Sequence, residues 1–159
     1  MTMEFNEADI EELFTHGQLT IRKDVKWRRK KGASHYEFVI PVENNFRGEM
    51  VNLTIMGTKN CQTRDYSYCL LFNKQRIRAL DPFKRHTNRF PKKERIEGTH
   101  KHKWCDQINS SYAYKPTDIT DETDMALTFQ QFLKECSITF IGKYSGSPPI
   151  QFQIHIEGR

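Results

Sequence analysis

The chain has 159 residues, 25 Lys and Arg against 20 Asp and Glu, and a formal charge of +5. That length suits one domain and buries about 70% of the surface its unfolded form exposes, so a real core is within reach. A chain with surplus positive charge is excluded as an imitator of DNA, which needs a carboxylate-rich surface.

The N-terminus is acidic and lacks the apolar stretch of a secretory signal. No apolar run approaches the ~20 residues that cross a bilayer, so a cytoplasmic, non-membrane protein is expected. Asn6 can cap a helix with Asp9 three residues on, and Phe5 with Ile10 have the spacing of a hydrophobic staple. Ile10, Leu13 and Phe14 share one face, and Gly17 supplies a stop. A short amphipathic helix is predicted there.

Strand signals follow. Leu19 and Ile21 alternate with polar residues, as do Tyr36, Phe38, Ile40 and Val42, and then Val51, Leu53 and Ile55. Asn44-Asn45 and Arg47-Gly48 suggest a hairpin connection. Between the first two runs, residues 22–32 form a basic block around Trp27. Trp27 there either stacks on a nucleic acid base or enters the core at a charged hairpin tip. Tyr66, Tyr68, Leu70 and Phe72 alternate again, and Asn73-Lys74-Gln75 can turn the chain into a strand that ends at Asp81-Pro82.

Residues 82–99 have no period and read as a long basic loop, of the kind that usually carries function. Residues 100–105 read as a short strand and residues 106–116 as irregular. The second helix is expected from a Thr123 cap, with Asp121, Glu122 and Asp124 at its positive end and Lys134 in its last turn. Met125, Phe129, Phe132, Leu133 and Cys136 form its apolar face. Residues 137–144 and then Ile150, Phe152, Ile154 and Ile156 read as two final strands, paired antiparallel. Runs of strands with a helix at the start and another near the end predict a single α+β domain, an antiparallel sheet packed against both helices.

Charge is unevenly spread. Residues 1–16 hold five acids and no Lys or Arg, whereas residues 74–104 hold eleven Lys/Arg and three acids around His86, His100 and His102. In a strand, His100, His102 and Trp104 point to one face. The two imidazoles can bind a metal with a third ligand such as His86, Asp106 or Asp81. They can equally act as acid and base in phosphodiester cleavage, with nearby cations stabilising the phosphate. The third reading, packed or solvated histidines with no metal and no cofactor, is preferred, because the adjacent cations repel a metal. Arg85-His86-Thr87-Asn88-Arg89 can hold a phosphate or be an ordinary surface loop. Cys61, Cys69, Cys105 and Cys136 form no CxxC pair and read as reduced thiols. No phosphate-binding glycine loop, dinucleotide fingerprint, zinc-protease helix or serine elbow is visible.

Two segments carry a resemblance. Leu80-Asp81-Pro82-Phe83-Lys84-Arg85-His86-Thr87-Asn88 and Ile96-Glu97-Gly98-Thr99-His100-Lys101-His102-Lys103-Trp104 resemble a group of small uncharacterised bacterial and phage proteins with a His-x-His strand. In length and helix order the whole chain also resembles the small anti-CRISPR proteins of mobile elements that inhibit the type II-A RNA-guided nuclease. The resemblance implies a non-enzymatic inhibitor that docks on the effector nuclease, with or without its guide RNA. Holding the HNH lobe, which must swing into place before cutting, would block cleavage. Such docking implies an interface of about 1,600 Å² with a few anchors. Arg28, Arg29, Lys30 and Lys31 are the expected contact, with direct nucleic-acid contact also open and no small-molecule substrate. The alternatives are a small nuclease or toxin built on His86, His100 and His102, and a nucleic-acid-binding module without catalysis.

Overall fold

A computed structural model describes residues 4–29, 32–90, 92–146 and 148. Among them the chain forms α1 (Glu7–His16), β1 (Thr20–Ile21), β2 (Arg28–Arg29), β3 (His35–Pro41), β4 (Leu53–Asn60), β5 (Tyr66–Phe72) and β6 (Gln75–Asp81). It continues through β7 (His86–Asn88), β8 (Glu94–Ile96), β9 (His100–Cys105), a 3-10 turn (Asp106–Ile108), β10 (Ser110–Tyr114), α2 (Met125–Glu135) and β11 (Thr139–Phe140). The α+β expectation holds: seven antiparallel strands in the order β10-β9-β6-β5-β4-β3-β2 carry two helices.

The helices cover one face, because the alternating side chains of β5 demand it. Tyr66, Tyr68, Leu70 and Phe72 are all buried, and Tyr68 lies 5.1 Å from Phe129 and 6.2 Å from Phe132 of α2. At the other end Phe5, just before α1, stacks on Phe72 at 4.7 Å. The capping box at Asn6 and Asp9 forms as expected, with each side chain accepting from the other's backbone N–H. Trp27 enters the core: it packs edge-on against Phe38 and its Nε1–H donates to the Tyr144 hydroxyl. Gly57 sits opposite Phe38 on β4, where a Cβ would run into the Phe38 ring.

Five local expectations change. Residues 82–99 are not a plain loop, since β7 and β8 pair antiparallel as His86↔Ile96, Thr87↔Arg95 and Asn88↔Glu94. Three-residue strands are too short to show a period. Residues 106–116 hold the 3-10 turn and β10, whose polar Ser110-Ser111 start hides its alternation. The cap of α2 is Asp124, not Thr123; Asp124 accepts from the Leu127 N–H, while Thr123 donates to Asp121. Of residues 137–144 only β11 is a strand, and it pairs parallel with β1. The expected strand at Ile150, Phe152, Ile154 and Ile156 lies outside the described residues. Lastly, Trp104 does not join the two histidines but enters the main core, 4.9 Å from Phe5, with its Nε1–H donated to Asp106.

All four cysteines are free thiols, and burial pushes that of Cys69 up to about 11. Among the described residues no helix is long and apolar enough to cross a membrane.

Candidate functional site: an imidazole cluster

Three strands build the site, on the sheet face away from the helices. In β9, alternation sends Lys101 and Lys103 one way and His100 and His102 the other. Lys101, 1% exposed, pairs with Glu135 of α2 at 2.8 Å and with Asp118 at 2.7 Å. Lys103 lies over the rings of Tyr112 and Tyr114. The two β9 cations are therefore turned to the opposite face, where Lys101 is neutralised, whereas Arg76 stays near enough to act on His86 and His102.

On the histidine face, β6 lies beside β9 with Asp81 opposite His100 and Ala79 opposite His102. On the other side of β9, Ala113 of β10 is the partner of His102. His102 thus has a methyl-sized neighbour on each flank. Over it folds the β7–β8 hairpin, bringing His86. The ring centroids lie 4.8 Å apart for His100 and His102, 5.0 Å for His86 and His102, and 5.5 Å for His86 and His100. One nitrogen from each ring falls within 4.8 Å of the other two.

Asn88 fixes the hairpin. It is buried, its Nδ2 donates to the Ala113 carbonyl at 2.6 Å, and its Oδ1 accepts from the Ala113 N–H at 2.9 Å. A side-chain amide here satisfies the main-chain groups that a neighbouring strand would otherwise pair. His86, two residues earlier on β7, is thereby set above the residue that Ala113 pairs with.

Asp81 Oδ2 is shared by two rings, 3.0 Å from His102 Nε2 and 3.5 Å from His100 Nε2. Burial raises the affinity of this carboxyl for a proton. The hydrogen bond from His102 and the charges of His102, His100 and Lys84 outweigh that, so its pKa lies below the ordinary value. Burial holds His102 below the usual imidazole range despite its bond to Asp81, and Arg76 adds to the effect. His86 is lowered likewise by burial, then by its two imidazole neighbours and Arg76. At neutral pH these two rings are neutral and keep a lone pair.

Of the other site expectations, Asp106 is taken up elsewhere, accepting from Trp104 and from the Glu7 N–H at the start of α1. Arg28 and Arg29 are exposed on β2, at the far edge of the sheet from β10. Lys30 and Lys31 lie outside the described residues. The sequence names Asp81 only as one ligand among several and leaves Asn88 between a phosphate-holding loop and an ordinary surface loop. The signal for Asp81 was its place at the end of a strand before Pro82. Nothing in the sequence pointed to the role of Asn88. The chain matches no protein-family model, no curated protein and no solved structure.

Proposed function

We propose that the chain is a small nuclease that hydrolyses phosphodiester bonds of RNA or DNA at the cluster of His86, His100 and His102. The observation that carries this reading is the convergence of three imidazoles from two strands, two of them sharing the half-buried carboxylate of Asp81 on a third. Burying polar rings costs free energy that apolar side chains would not, so packing alone is a poor account of them. Perturbed titratable groups gathered in one place point to chemistry instead.

The surroundings suit a polyanion. Lys84, Arg85, Arg89, Lys92 and Lys93 are exposed beside and along the β7–β8 hairpin. Phe90, 41% exposed at the hairpin tip, offers a face on which a base can stack. In the reaction a water oxygen forms a bond to phosphorus as the ester P–O bond breaks. The water proton passes to the imidazole centre and the departing oxygen takes up a proton. The cations stabilise charge on the phosphate in flight.

Incubating the purified chain with end-labelled single-stranded RNA and DNA tests this reading. Many turnovers per chain are expected, lost in His86→Ala and retained in Arg28→Ala with Arg29→Ala. Intact substrate after long incubation, with and without divalent ions, would sink it.

A second reading, a protein-binding inhibitor of a type II CRISPR effector, is favoured by one observation. Arg28 and Arg29 lie on a two-residue edge strand beside a groove of about 560 Å³, next to Val39, which is 57% exposed. Exposed cations beside an apolar side chain suit an acidic protein face. This reading expects stoichiometric block of target cleavage, untouched by His86→Ala and abolished by Arg28→Glu with Arg29→Glu.

A further inference from the structure

The hydrogen bonds of the cluster leave a place for a positive charge. His100 Nδ1 lies 2.9 Å from the Lys84 carbonyl and 3.1 Å from the Gly98 carbonyl. A carbonyl only accepts, so Nδ1 carries the proton, and the neutral ring keeps its lone pair on Nε2. In the neutral form of the ring that Nε2 faces Asp81 Oδ2 at 3.5 Å, acceptor against acceptor. The same oxygen already faces His102 Nε2 at 3.0 Å. His102 Nδ1, on a ring 3% exposed, is buried with no hydrogen-bond partner among the described residues. An orphaned imidazole nitrogen and two opposed lone pairs a few ångströms apart are a costly arrangement unless a cation sits among them.

We propose that His86, His100 and His102, with Asp81 as their carboxylate partner, bind one divalent transition-metal ion. Imidazole donors select zinc and its neighbours over magnesium and calcium, which prefer oxygen. The carbonyl of Lys84 fixes the tautomer and tilt of His100, the usual duty of a group behind a metal-binding ring. Ligand nitrogens about 2.0–2.1 Å from a tetrahedral zinc lie roughly 3.4 Å from one another. The present 4.8 Å span therefore closes on binding, and His86, half-buried where His100 and His102 are buried, is the ring placed to turn about its own side-chain bonds. As the working ion of a nuclease this proposal rests on the reading above; as a site it is read without any activity.

The test uses the full chain, stripped with a chelator and dialysed. Calorimetric titration with zinc chloride is expected to show one ion per chain. Cobalt(II) is expected to give the visible absorption of a site with nitrogen ligands. His86→Ala and His102→Ala lose stoichiometric binding, and Asp81→Asn weakens it by about 10–100-fold. A His16→Ala, His35→Ala double variant binds as the parent does. Because His102 is buried, His86→Ala is the decisive variant, with its fold checked by circular dichroism.

No stoichiometric zinc or cobalt binding by the folded, stripped chain would overturn the proposal. So would binding that His86→Ala leaves unchanged. Zinc binding without turnover removes the nuclease reading and leaves the metal site standing. Turnover by the stripped chain in excess chelator removes the metal from the chemistry and leaves the nuclease.

Discussion

The amide of Asn88 and the main chain of Ala113 form a closed pair of hydrogen bonds, 2.6 and 2.9 Å long, and hold His86 over His102. Among the described residues the main sheet pairs β10 only with β9, yet at Ala113 its outer edge is not left bare. The three imidazoles meet because a side chain two residues from one of them ties the hairpin to that edge.

Asn88→Ala leaves the Ala113 N–H and carbonyl without partners, at a cost of about 1–3 kcal/mol. It is expected to lower the urea midpoint by a matching amount and to free His86 from the cluster. The same loss of stability with zinc affinity unchanged would show that the clamp is structural only.

Lys101 is a second buried dependency. Its ammonium reaches Glu135 and Asp118, and Glu135 also accepts from the Tyr114 hydroxyl. Glu135→Ala leaves the buried Lys101 with the half-exposed Asp118 and takes a partner from Arg78 and Tyr114, so it should destabilise the fold by about 3–5 kcal/mol in chemical denaturation. Asp118 is 48% exposed, so Asp118→Ala should cost under about 1 kcal/mol.

Gly57→Ala places a methyl against the Phe38 ring, between T-shaped contacts with Trp27 and Phe129. Overpacking of this kind costs about 1–3 kcal/mol. A lowered melting temperature with unchanged secondary structure is expected. A neutral result would mean that Phe38 shifts without strain.

Acid should weaken the metal-free fold. His86 and His102 are held below the ordinary imidazole range, facing His100, Asp81 and Arg76. The unfolded chain therefore binds more protons than the folded one once pH drops below about 6.5. The stability tied to these rings is present above that value and is lost as pH falls through their folded values. Asp81, lowered as well, adds a further loss at more acid pH. Urea midpoints at pH 7.5 and pH 5.5 check this; a midpoint that holds or rises at pH 5.5 contradicts it.

Nucleic-acid contact is tested apart from cleavage. Phe90→Ala should weaken binding to single-stranded RNA by about 1–3 kcal/mol. Arg89→Ala should reduce the salt slope of binding by about 1. Binding that ignores both changes would place the substrate elsewhere on the chain.

Much of the architecture could be read before any coordinates. The Asn6–Asp9 box, the alternation of β3 to β5 and the apolar face of α2 are local patterns, written by the periods of strand and helix. Asn73 and Lys74 carry φ of 49° and 69°, a tight hairpin turn where a short connection was expected. The histidine pair on β9 was legible for the same reason, as two alternate positions of one strand.

The cluster itself was not legible, because it depends on contacts distant along the chain. His86 sits in a three-residue strand with no period, held by an amide that stands in for main chain. Asp81 meets His100 and His102 only through the register of β6 on β9. The cations of β9 seemed to crowd the histidines, yet in a strand neighbours in sequence lie on opposite faces. Composition and periodicity specify strands, helices and their buried sides, since those follow from a residue and its near neighbours. Which imidazoles share a carboxylate, and which lysines turn away from them, follows from strand order and register, which the packing of the whole sheet sets.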